Sequence, residues 1–252
     1  RMAEYVRVVS AATPSVEDVI NIHARLDKAR NSQDVPGDLF AVVMAARRLL
    51  QGCIAQPNPE EAVVAVELLA ERALELPEGA RELDQQWPAE YAKKLSSEGL
   101  AVLMLGLDEE GDLVSVLAKE GSLEIKRPAH QEGSFRQHMQ KWSTEYPFNY
   151  GLIDREKGNN EFYLTMQELT IPLPSFQNIL VVAEPALQQI PLNLLLDGDE
   201  FAGKTRAMGY APSLTWFEAA RRNPVNHYGR RLAWVSASED PDKMGTLEMI
   251  LE

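Results

Sequence analysis

The sequence predicts an α/β protein: an α-helical segment over residues 1–96, then, over 97–252, a β-meander followed by a parallel α/β sheet. Three observations carry this. Apolar residues recur at helical spacing up to about residue 95. From Leu100 they fall into short alternating runs separated by glycine-containing loops. Ile179-Leu180-Val181-Val182-Ala183 is an unbroken apolar run, the mark of a strand buried on both faces. Composition bounds the rest. The chain has 252 residues, a single cysteine and a formal net charge of −13. No apolar run reaches the roughly 18 residues of a membrane span, and no signal-peptide pattern opens the chain. One cysteine excludes an internal disulfide and a Cys-rich zinc site. The acidic balance argues against direct nucleic-acid binding, which needs Lys and Arg to neutralise phosphates. A cytoplasmic globular protein is expected. The chain opens on Arg1, not Met, and stops partway into an amphipathic run (Leu247 to Glu252), as a portion of a longer protein would.

The first helix begins after Ser15, which with Asp18 forms a capping-box pattern; Val16, Val19, Ile20, His23 and Leu26 follow at helical spacing. Pro36 and Gly37 break the pattern, and a second helix is predicted from about Leu39 to Ile54. A third runs from Pro59 to about Leu76, with Asn58 as cap, Pro59 in the first turn, and Glu60 and Glu61 facing the positive end of the dipole. On this third helix Glu67, Glu71 and Glu75 form a stripe at i, i+4 spacing. Between Glu60 and Glu98 there are ten acidic residues against four basic ones, a net of −6 and nearly half of the chain's total. Such a run ordinarily keeps a surface wet; the functional alternative is a face, at Glu67, Glu71 and Glu75, that docks a basic partner.

Leu100–Leu107, Leu113–Ala118 and Leu123–Arg127 are the strands of an antiparallel meander, joined by loops of four or five residues that contain Gly111 and Gly121. A helix is expected over Phe135–Tyr146, stopped by Pro147, and another over Phe162–Leu169. Strands at Ile179–Ala183, Arg206–Tyr210 and Leu232–Ala237, with a helix at Leu214–Arg222 before the last, predict parallel pairing.

From Ile179 onward the order of motifs resembles the CHAT family of caspase-like cysteine peptidases. The carrying residues are Ile179 to Leu195, which look like that family's strand followed by a Leu-x-x-(Leu/Ile)-Pro-(Phe/Leu)-x-x-Leu turn. Gly209-Tyr210-Ala211-Pro212-Ser213 is similar to a family strand ending in Pro-Ser before a helix, and Leu232–Ala237 to the second core strand. Glu98-Gly99-Leu100-Ala101 resembles the opening hairpin. Pro59-Glu60-Glu61-Ala62 with Ala73-Leu74-Glu75-Leu76-Pro77 resembles the second helix of one tetratricopeptide unit. The resemblance implies a tetratricopeptide-like helical segment over 1–96, and over 97–252 the N-terminal part of a caspase-like domain, holding the first half of its sheet. It implies thiol hydrolysis of a protein substrate, in which a Cys thiolate attacks the carbonyl, a His moves the proton and backbone N–H groups hold the oxyanion. In the family the His and Cys follow later strands, so both are expected beyond Glu252 and no catalytic residue is assigned in this chain. Relatives act in prokaryotic antiviral defence, docked to an RNA-guided effector or acting on pore-forming substrates; such a regulatory partner is implied here by resemblance. The alternative is a catalytically inactive interaction scaffold with the same fold.

The remaining chemically capable residues each have a plainer reading. Cys53, among Leu49, Leu50 and Ile54, reads as a small core residue. His23 reads as packing on its helix. His130 and His138 match no metal spacing. His227 precedes the second core strand, the wrong place for the dyad. Asp197-Gly198-Asp199-Glu200 lacks the later ligands of a calcium loop and reads as a charged turn tip. Glu184-Pro185-Ala186 stands where a phosphate cradle would need glycines. No metal and no cofactor are expected, and substrate-contacting residues are left unassigned. Pro191 and Asn193 shape a turn at the sheet edge, and Tyr210–Ser213 are placed to line a cleft.

Overall fold

The computed structural model describes residues 13–29, 35–71, 79–128, 135–145, 171–197 and 200–222. The protein is α/β. Among the described residues four helices lead: α1 (Val16–Ala29), α2 (Val35–Ala55), α3 (Pro59–Glu71) and α4 (Trp87–Ser97). Strands β1 (Ala101–Leu107), β2 (Leu113–Lys119) and β3 (Ser122–Lys126) follow, then α5 (Phe135–Glu145), β4 (Asn178–Ala183), a two-stranded hairpin of β5 (Leu196–Asp197) and β6 (Glu200–Phe201), β7 (Ala207–Ala211) and α6 (Leu214–Arg222). No helix among the described residues is long and apolar enough to cross a membrane.

The helix starts follow the capping logic. Ser15 Oγ accepts the Asp18 N–H at 3.1 Å and donates to the Asp18 carboxylate at 2.9 Å. Asn58 Oδ1 accepts the Glu61 N–H at 3.3 Å. Pro36 does not break a helix: α2 begins at Val35 and carries Pro36 in its first turn, where the missing N–H has no intrahelical partner to lose. At α4, Asp84 Oδ1 accepts the N–H groups of Gln86 (2.8 Å) and Trp87 (2.6 Å), and Trp87 stacks on Tyr91 with ring centroids 5.1 Å apart.

The meander is antiparallel as expected, with Leu107 opposite Leu113 and Lys119 opposite Ser122. The β2–β3 loop is only two residues long, because Lys119 and Ser122 themselves pair. Glu120 (φ 48°) and Gly121 (φ 78°) both take the left-handed conformation that matches strand twist in such a turn. The meander is not a separate sheet. β1 also pairs in parallel with β4, and β4 with β7, giving one mixed sheet in the order β3-β2-β1-β4-β7.

This sheet is covered on both faces. Val102, Met104, Val114, Val116, Leu180 and Val182 face a core shared with α1–α4 and α6. The alternate residues Leu103, Leu105, Leu107, Leu113, Ile179 and Val181 face a second core with Phe135 of α5, Leu187, Ile190 and Leu195. The expected division between 96 and 97 falls between α4 and β1, and the first core runs across it. On the outer strand β3 the half-buried Glu124 pairs with Lys119 of β2 at 3.3 Å and with Lys126 at 2.8 Å. The helix expected at 162–169 and the strand at 232–237 lie outside the described residues.

Candidate functional site

In an open α/β sheet, side chains converge beyond the carboxyl ends of the parallel strands. Here β1, β4 and β7 end in Asp108, Glu184 and Ser213, and all three are buried. Each is held from a different direction.

Asp108 opens the β1–β2 turn and accepts the Asp112 N–H at 2.9 Å. Arg127 reaches over it, 2.5 Å from Asp108, 3.0 Å from Glu110 and 2.9 Å from Asp112. Burial pushes the Asp108 carboxyl up, although Arg127 pulls against it. Burial alone would lower the pKa of Arg127, but these carboxylates outweigh it and hold it above its ordinary value. The three acids have oxygens close enough to share a metal ion. The guanidinium already lies against all of them, so the positive charge they require is supplied by the protein itself.

At β4, the Glu184 N–H donates to Leu105 O at 3.0 Å and continues the strand pairing by one residue. Its carbonyl accepts the N–H groups of Leu187 (2.8 Å) and Gln188 (3.2 Å), so these amides turn inward. The carboxylate meets Arg47 of α2 at 2.9 Å, fully out of water. Beyond the turn, Pro191 leads into the 3-10 turn Leu192–Leu194 that contains Asn193. Tyr210, 45% exposed on β7, fixes this segment: its hydroxyl accepts the Leu192 N–H at 2.8 Å and donates to the Ile190 carbonyl at 3.2 Å.

The third strand end corrects the acidic stripe. Glu67 and Glu71 are not on a surface; they are 0% and 1% exposed. Every residue of α3 from Ala62 to Glu71 is buried, since the helix lies between its neighbours and the sheet. Glu67 caps α6: Oε2 accepts the Leu214 N–H at 2.9 Å, and Oε1 accepts the N–H and hydroxyl of Thr215 at 2.7 and 2.9 Å. Ser213 Oγ accepts the Trp216 N–H at 3.0 Å and donates to Glu71 at 3.5 Å, while His23 Nε2 stands 3.9 Å from Glu71. Burial pushes the Glu67 carboxyl up, against the bonds it accepts from α6. Buried carboxylates that hold a helix start present nothing for a basic partner to dock on. Glu75, the third member of the stripe, lies outside the described residues.

Of the other singled-out groups, Cys53 is buried and its thiol is pushed up to about 12, chiefly by burial and further by Glu61. A thiol held that high is almost never the thiolate at neutral pH, so it is no nucleophile. His138 lies on α5. Asp197 pairs with Arg206, and Glu200 with Lys204 at 3.3 Å. His130, Gly198, Asp199 and His227 lie outside the described residues. The Arg47–Glu184 pair was missed. Its only trace in the sequence is a charged residue directly after the apolar run Ile179–Ala183.

No protein-family model matches the chain, and neither a curated protein nor a solved structure is significantly similar to it.

Proposed function

We propose that this chain is the N-terminal part of a regulated caspase-like cysteine endopeptidase, preceded by tetratricopeptide-type helices, with its His/Cys dyad supplied by sequence after residue 252. The reading includes a role in prokaryotic antiviral defence under control of a partner protein. The observation that carries it is the succession along the sheet. A parallel strand (β4) buried on both faces leads through the Glu184–Leu195 turn to β7, and Ala211-Pro212-Ser213 then opens α6, in the order the motif resemblance requires. The buried, protonated Cys53 agrees with a nucleophile placed elsewhere.

The test is a cleavage assay on the natural full-length product that contains this chain. Cleavage of a protein substrate should vanish when a cysteine at a later predicted strand end is changed to Ala. It should be unaffected by Cys53→Ala, and a thiol-alkylating reagent should leave Cys53 unmodified in the folded protein. Cleavage that survives loss of the downstream cysteine removes the thiol-peptidase reading. Failure to cleave with that cysteine intact leaves the inactive interaction scaffold.

A further inference from the structure

On the face of the sheet turned away from α1–α4, the meander leaves a half-open cleft of about 250 Å³. Val114, Val116 and Ala118 face the helices, so alternation puts Leu113, Ser115, Leu117 and Lys119 of β2 on the cleft side. Ser115 thus stands in a row where its neighbours are leucines. It is 3% exposed, and its hydroxyl donates to the Lys126 carbonyl across the strand pair at 3.3 Å. That polar group is satisfied within the sheet, and its small side chain leaves room on a floor otherwise made by Leu103 and Leu117. The wall is the segment 172–176, whose Leu173 and Phe176 pack against the second core. Pro172 and Pro174 fix φ at two of its positions and keep it stiff. Lys119, Glu124 and Lys126 stand at the rim. Among the described residues Glu124 is the one carboxylate that the two ammoniums share. The rim therefore carries one uncompensated positive charge, in a chain whose total is −13.

We propose that this cleft binds a small monocarboxylate with an apolar body. The body lies over Leu103, Ser115 and Leu117 against Leu173 and Phe176, and the carboxylate is held at the rim by Lys119 and Lys126. Floor and wall are apolar, so they take hydrocarbon out of water, and a stiff wall spends little ordering entropy on the ligand. A second carboxylate beside the two ammoniums balances the charge that Glu124 leaves over, whereas a cationic ligand would meet two like charges. The rim is partly wet, so the lysines decide which ligand enters more than how tightly it is held. The volume lies below the roughly 300–1,000 Å³ of clefts that enclose drug-sized ligands, which points to a short chain or a single ring. Asp108, Glu184 and Ser213 are not among the described residues that line the cleft, and this site is independent of the peptidase reading.

The experiment is a titration of the whole chain with octanoate, followed by methyl NMR of Leu103, Leu117 and Leu173. Saturable shifts at these methyls are expected, with a Kd of about 1 mM. Octanamide, which keeps the shape without the charge, and octylamine, which reverses the charge, should both bind more weakly. Lys119→Gln and Lys126→Gln should each weaken octanoate by roughly two- to fivefold and leave octanamide unchanged. Ser115→Leu should fill the floor and abolish the shifts from both ligands. The proposal is overturned if about 10 mM octanoate produces no saturable shift at these methyls. Equal affinity for octanoate and octanamide, or unchanged octanoate affinity in a folded Ser115→Leu, also overturns it. Should Ser115→Leu fail to fold, the lysine variants decide: a loss confined to octanoate supports the site, and unchanged octanoate affinity in both overturns it.

Discussion

Arg47 and Glu184 illustrate how a buried charge pair constrains a residue's replacements. The guanidinium is mostly buried and the carboxylate wholly so, and they meet at 2.9 Å. Removing one partner strands the other in a dry space; removing both does not. Glu184→Ala is expected to destabilise the fold by about 3–5 kcal/mol, read as a lower urea midpoint, while the double change Arg47→Met, Glu184→Leu should recover most of that loss. A double variant no more stable than the single would show that Glu184 acts through something other than this pair. None of this was legible locally, because the partners are separated by most of the fold. The glutamates of α3 were legible and were misjudged. Ala62 to Ala70 contains one polar residue, Glu67, amid Val, Leu and Ala. A helix apolar all round is a buried helix, so an acid within it needs a buried partner. An i, i+4 row of glutamates marks a wet face only on an amphipathic helix, and α3 is apolar all round.

At the scale of elements, the local signals were good and the pairings were not. Caps at Ser15 and Asn58, the meander runs and the β4 strand are each set by a few adjacent residues, and each was visible in the sequence. Pro36 failed as a signal because a proline that ends one helix and one that begins the next look alike without the flanking dihedrals. The parallel pairing of β1 with β4 joins residues more than seventy positions apart, and no periodicity encodes it. What holds that junction close to the helices is Gly106. A Cβ there would come 3.0 Å from Leu50 Cδ2, 3.2 Å from Val66 Cγ2 and 3.4 Å from Leu69 Cδ1. Gly106→Ala is therefore expected to lower stability by about 1–2 kcal/mol. Overpacking of about 1–3 kcal/mol is offset in part by the roughly 0.5–1 kcal/mol that alanine gains over glycine in a strand. Thermal unfolding measures the difference, and an unchanged or raised Tm would mean that α2 and α3 yield easily.

At the largest scale, the described helices and sheet up to Arg221 fall in one compact unit. The change in residue pattern near position 97 marks a change of element type and not the edge of a core. Deleting residues 1–96 would bare Val102, Met104, Val114, Val116, Leu180 and Val182 together. The remainder is expected to lose cooperative urea unfolding and to bind a hydrophobic dye; a cooperative, dye-free 97–252 piece would show that the sheet can stand without its helices. The two outer strands of that sheet are also unequal. β3 carries Glu124 and Lys126, with Lys119 of β2 paired to the same glutamate, and a foreign strand laid against it would have to strip water from these charges. β7 offers Ala207, Met208, Gly209, Tyr210 and Ala211, with no charge in its length, and among the described residues no atom outside its chain neighbours lies within 4 Å of a Cβ placed on Gly209. Among the described residues, then, charge fringes the meander flank of the sheet while the β7 flank carries none, so the two margins present different chemistry to whatever lies beside them.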